Sequence, residues 1–113
     1  MLLALHLYDL TIIDDEWGEN HNDFYVKLEA DIGIKGHKSP IEVFSIYVTS
    51  PCRLSSMLKD QEIETGRGLF IMNDFNIKAV EDRLKKLLLH CSRQSWEECL
   101  LAVSRYAIRE YES

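Results

Sequence analysis

The chain has 113 residues, 46% of them hydrophobic and 28% charged, and a formal net charge of −6. That length predicts one domain with a core large enough to fold without a metal or disulfide staple, and it excludes an enzyme with a separate cofactor domain. The hydrophobic content excludes a wholly disordered chain, and the acidic balance makes nucleic acid an improbable direct ligand, because like charge repels a phosphate backbone.

Leu2 to Ile13 reads as a first strand, with Leu3, Leu5 and Leu7 on one face and Ala4, His6 and Tyr8 on the other. Asp14–Asn22 holds few apolar residues and reads as a loop carrying Trp17 and Gly18. Asp23 to Ile34 gives the clearest pattern. Phe24, Val26, Leu28, Ala30, Ile32 and Ile34 alternate with Tyr25, Lys27, Glu29, Asp31 and Gly33. Period two sets one face on a core and the other toward water, as in an antiparallel sheet. Lys35–Lys38 is a turn. Ile41 to Ser50 is a third strand, with Phe44, Ile46 and Val48 on one side, and Pro51 ends it.

Arg53 to Lys59 suits a short helix, Asp60–Arg67 an irregular stretch, and Gly68 to Met72 a fourth strand. Asn76 then caps a helix with its apolar stripe at Ile77, Val80, Leu84, Leu87, Leu88 and Cys91. Phe75 and Val80 fit a hydrophobic staple across that cap. Ser95-Trp96-Glu97-Glu98 matches a capping box and opens a last helix, whose stripe is Trp96, Cys99, Leu100, Val103, Tyr106 and Ala107. Tyr106 and Tyr111 are placed to reach the sheet. The predicted fold is α+β: an antiparallel sheet of about four strands with two C-terminal helices on one face.

The charge is unevenly distributed. Residues 1–34 carry eight acids (Asp9, Asp14, Asp15, Glu16, Glu19, Asp23, Glu29, Asp31) against Lys27, a net of −7, and the rest of the chain nets +1. Such a surface attracts a basic protein or simply solubilises the domain. Trp17 among these acids either packs its own loop or anchors a partner, since tryptophan is enriched at binding hot spots.

Catalytic and metal signals are weak. Cys52, Cys91 and Cys99 are odd in number and hold no Cys-x-x-Cys pair, so reduced thiols in the cytoplasm are expected. His90, Cys91 and Cys99 lie near one connection but lack a fourth zinc ligand. No Gly-x-Ser-x-Gly elbow occurs, and Gly66-Arg-Gly68 falls short of a phosphate loop. Asp14-Asp15-Glu16 reads as solvated acids without calcium-loop spacing. Arg83, Lys85 and Lys86 read as a solvated helix face. No signal peptide or membrane span is expected, and no cofactor.

Several stretches together carry a family resemblance. They are Phe44-Ser-Ile-Tyr-Val-Thr-Ser-Pro51 with Leu54, then Gly66-Arg-Gly-Leu-Phe-Ile-Met72, Trp96-Glu-Glu, Ser104-Arg-Tyr and Glu110-Tyr111-Glu112. In these the chain resembles the immunity protein 8 family of polymorphic and contact-dependent growth inhibition systems. The likeness spans roughly Ile32 to Glu112, with the N-terminal third departing from the family pattern. It implies a small cytoplasmic protein, not an enzyme, that binds and neutralises a cognate C-terminal toxin domain. The shared positions read as scaffold, which leaves the acidic third for specificity. The expected toxin-binding residues are Asp14, Asp15, Glu16, Trp17, Glu19, Asp23, Tyr25, Glu29 and Asp31. They would block the toxin's active site stoichiometrically, and a nuclease toxin would offer a basic groove to meet them. The rival expectation is a small enzyme or ligand-binding domain with a site between sheet and helices, using His6 or His90.

Overall fold

The computed structural model describes residues 1–110. The elements run β1 (Leu5–Trp17), β2 (Phe24–Ile34), β3 (Glu42–Thr49), α1 (Pro51–Gln61), β4 (Leu69–Ile71), α2 (Ile77–Leu89), α3 (Trp96–Val103) and β5 (Ile108–Arg109). Among the described residues the fold is α+β, with one mixed five-stranded sheet and three helices. β1, β2 and β3 form an antiparallel meander, and both β4 and β5 lie on the far edge of β3.

The period-two pattern sets the layers. Phe24, Val26, Leu28, Ala30 and Ile32 of β2, and Phe44, Ile46 and Val48 of β3, are fully buried on one face. Onto it pack Val80, Leu84 and Leu88 of α2 and Leu100, Ala102 and Val103 of α3, with Cys91 and Ala107 beside them. The helices form where their caps allow. The Asn76 side chain accepts from the N–H groups of Lys78 and Ala79, and Ser95 Oγ accepts from the N–H of Glu98, satisfying donors that have no partner within the helix. The Ser95 hydroxyl also bonds the Glu98 carboxylate at 2.9 Å, and Phe75 and Val80 both join the core.

The structure corrects the sequence reading in five places. Asp14–Trp17 is not loop. The first strand continues through it, because β2 offers a full-length partner: Asp14, Asp15, Glu16 and Trp17 pair with Lys27, Val26, Tyr25 and Phe24. Two register shifts, between Leu7 and Asp9 and between Ile12 and Asp14, break the alternation that would have marked this strand. The sheet is not wholly antiparallel, since β4 runs parallel to β3 after the α1 crossover. The first helix starts at Pro51, which serves as its N1 residue behind the Ser50 cap, and extends to Gln61. Ile77, assigned to the apolar stripe, is exposed at the first turn of α2. β5 has only two residues and no pattern of its own.

Gly68 shows why β4 and β5 can share one edge. Its φ is +77°, and a Cβ there would sit 3.2 Å from the Ile108 side chain. Tyr111 and Glu112 lie outside the described residues.

Candidate functional site

α2 and α3 cover one face of the sheet, and the other is where charge collects; α1 adds no residue to the core and reaches the charged face at one end, where Arg53 lies 3.7 Å from Glu16. Register decides which residues reach it. Glu16 lies beside Tyr25, and Tyr25 beside Thr49. In the next row Asp14, Lys27 and Tyr47 are neighbours, then Thr11, Glu29 and Ser45, then Asp9, Asp31 and Val43. Lys27 is the only lysine or arginine in the three long strands. The face is therefore acidic along β1 and β2, with two aromatic rings near one end. Tyr25 and Tyr47 stack there with centroids 5.8 Å apart.

The titration behaviour follows from this crowding. The Glu29 carboxyl titrates above the usual carboxylate range, mainly because it hydrogen-bonds Glu110 and then through some loss of solvent and the Glu110 charge. The Tyr25 phenol is pushed up by burial first, then by the Glu64, Tyr47 and Glu16 charges. Glu110 thus belongs to this face, and Glu64 lies near its Tyr25 end. Glu110 reaches it because β5 pairs with β3, its N–H donating to the Val43 carbonyl.

The predicted set divides between two faces and a loop. Asp14, Glu16, Tyr25, Glu29 and Asp31 share the face opposite α2 and α3. Asp15 and Trp17 are turned to the opposite side, opposite Val26 and Phe24. Trp17 combines the two alternatives raised for it. Its ring packs on Phe24 (5.2 Å) and edge-on against Phe75 (6.2 Å), yet it remains 45% exposed, with its indole N–H donating to Asp15. Glu19 is exposed in the β1–β2 loop.

Asp23 ends that loop and is tied down. Arg53 Nε donates to it at 2.7 Å, and the same guanidinium lies 3.7 Å from Glu16. Buried Ser50 links these parts, its hydroxyl accepting from the N–H of both Phe24 and Arg53. Gly18 is required in the loop because a Cβ would overlap the Asp23 carboxylate.

Asp9, Tyr47 and Glu110 were missed as members of the face. Tyr47 was legible, being an outward position of an alternating strand. Glu110 was not, because its neighbour Glu29 lies far back in the chain. His6 packs edge-on against Tyr8, and His90 is exposed at the C-cap of α2. Neither lines the cavity between β4 and α2 or the one beside α3. Cys91 is a buried thiol whose pKa is raised chiefly by desolvation, so it stays protonated and inert at neutral pH. Among the described residues no group of three or more His, Cys, Asp or Glu is arranged to hold a metal, and no helix is long and apolar enough to cross a membrane.

The family model described as Immunity protein 8 matches residues 1–113. The match takes in the acidic third, so that segment does not depart from the family domain. No curated protein and no solved structure matches the chain.

Proposed function

The chain belongs to the Immunity protein 8 family, which makes it an immunity protein with a toxin as its partner, and from that premise we propose that the sheet face opposite α2 and α3 is where the toxin is bound. The observation that carries this reading is the row of Asp9, Asp14, Glu16, Glu29 and Asp31 on one side of a sheet whose other side is sealed by helices. A surface dominated by one sign of charge steers an oppositely charged partner and discriminates against others. The toxin surface it fits is basic.

A nuclease meets that requirement, because its substrate groove must attract phosphate. The immunity protein then occupies the groove stoichiometrically, and its carboxylates take the place of the phosphates. Trp17 and Glu19, at the hairpin end of β1, flank the face and extend the contact. The partner would be the C-terminal domain of a toxin from a contact-dependent growth inhibition system. Neutralisation would take place in the cytoplasm, before the toxin reaches its substrate.

Co-expression tests the reading. Cells producing the cognate toxin domain should grow when wild-type protein is present. They should fail to grow with a variant carrying Asp14→Asn, Glu16→Gln, Glu29→Gln and Asp31→Asn at equal abundance. Full protection by that variant would refute the face as the binding site.

A further inference from the structure

The second feature of the molecule that asks for a partner lies at the opposite edge of the sheet. β4 has three residues against eight in β3, so the sheet stops short while α2 continues beneath it. This leaves a groove of about 430 Å³ between β4, α2 and the chain after α3. Phe70, Met72, Val80 and Leu87 line it together with Arg83 and Arg105, and among the described residues no carboxylate does. Arg83 and Arg105 form no ion pair among the described residues. On a protein of net charge −6 this is a local reversal of sign.

The strand edge beside the groove is open. The Gly68 carbonyl accepts from Tyr47 N–H and the Met72 N–H donates to Thr49, so the alternate residues turn toward β3. Leu69 and Ile71 therefore turn their backbone groups the other way. The Leu69 N–H is already used in a turn to Gly66, which leaves the Leu69 carbonyl and both polar groups of Ile71 facing outward. Ile71 is 56% exposed. Unpaired edge groups beside an apolar groove are the requirements for strand addition, in which main-chain bonds give affinity and alternate side chains fill the groove.

We infer that the β4 edge and its groove receive an extended segment of the toxin, one that alternates apolar residues and presents an aspartate or glutamate to Arg83 and Arg105. This rests on the toxin as partner but not on the acidic face. The two surfaces select opposite charges, so they would engage different parts of the toxin. A partner with a basic groove and an acidic-apolar strand satisfies both, and most wrong partners fail one of them.

Hydrogen exchange on the wild-type protein, free and bound to the cognate toxin domain, tests the inference without a mutation. The Ile71 amide should exchange at least about tenfold more slowly in the complex, as a newly paired edge N–H does. An unchanged Ile71 rate in a formed complex would overturn it. As a second arm, Arg83→Glu with Arg105→Glu should weaken toxin binding at least tenfold while leaving the melting temperature within a few degrees. Unchanged affinity would overturn the proposal, as would light scattering showing that the groove is instead filled by a second copy. Failure of the wild type to bind the toxin at all would count against the functional reading itself, which separates the two.

Discussion

The two faces of the sheet are built from alternate residues of the same strands and do opposite work. Phe24, Val26, Leu28, Ala30 and Ile32 have no accessible surface, while Tyr25, Lys27, Glu29 and Asp31 between them stay in contact with solvent. One face holds the fold together by removing apolar area from water, the other gathers like charges that water must screen. Neighbours in sequence should therefore fail in different assays. A residue of the covered face should unfold the domain when truncated. One on the open face should leave the fold intact and change what binds.

The largest break in that comparison is Phe44→Ala. It empties a fully buried position and should cost about 3–5 kcal/mol, against a total for such domains of about 5–15 kcal/mol. Urea denaturation followed by circular dichroism measures it. The outward substitution Asp31→Asn should fall within about 0.5 kcal/mol of wild type in the same experiment.

Arg53→Ala comes next. It removes a short charge-assisted bond to Asp23, and partly buried bonds of this kind are worth about 1.5–3 kcal/mol. Faster amide exchange around Gly18 and Asp23 would show the hairpin loosening. Asn76→Ala should cost about 1 kcal/mol through the lost cap, with toxin affinity unaltered.

The smallest effect belongs to Glu29→Gln. In the folded protein Glu29 holds its proton more tightly than when unfolded. The pair with Glu110 therefore favours folding below the ordinary carboxylate range, and that contribution is lost as pH rises through the raised pKa. The variant should melt at or slightly above the wild-type temperature near neutral pH, with the relation shifting toward wild type in acid. Thermal melts across that range check the sign.

What could be read from the sequence follows the same division. β2, β3 and the caps at Asn76 and Ser95 were legible because burial and capping write local patterns. The second half of β1 was not. Asp14, Asp15 and Glu16 form strand only because β2 lies alongside, and the bulges at either side of Asp9–Ile12 interrupt the period. The direction of β4 was equally hidden, since parallel pairing is decided by the crossover rather than by Leu69–Ile71. For the binding face, Tyr25, Glu29 and Asp31 were visible as outward positions of one strand. Grouping them with Asp9 and Glu110 needed the register between segments distant in the chain. Trp17 was misplaced as loop and turns out to brace the hairpin against Phe75.

On this account the open sheet face, rather than net acidity, binds the toxin. Calorimetric titration of the cognate toxin domain against two variants of equal charge tests it most directly. One carries Asp14→Asn, Glu16→Gln, Glu29→Gln and Asp31→Asn. The other neutralises four exposed acids on or next to the helices of the covered side: Asp74, Asp82, Glu97 and Glu98. The first should lose at least about tenfold in affinity, some 1.4 kcal/mol, and most of its dependence on salt, while the second should bind like wild type. Equal affinities for the two variants would contradict the account.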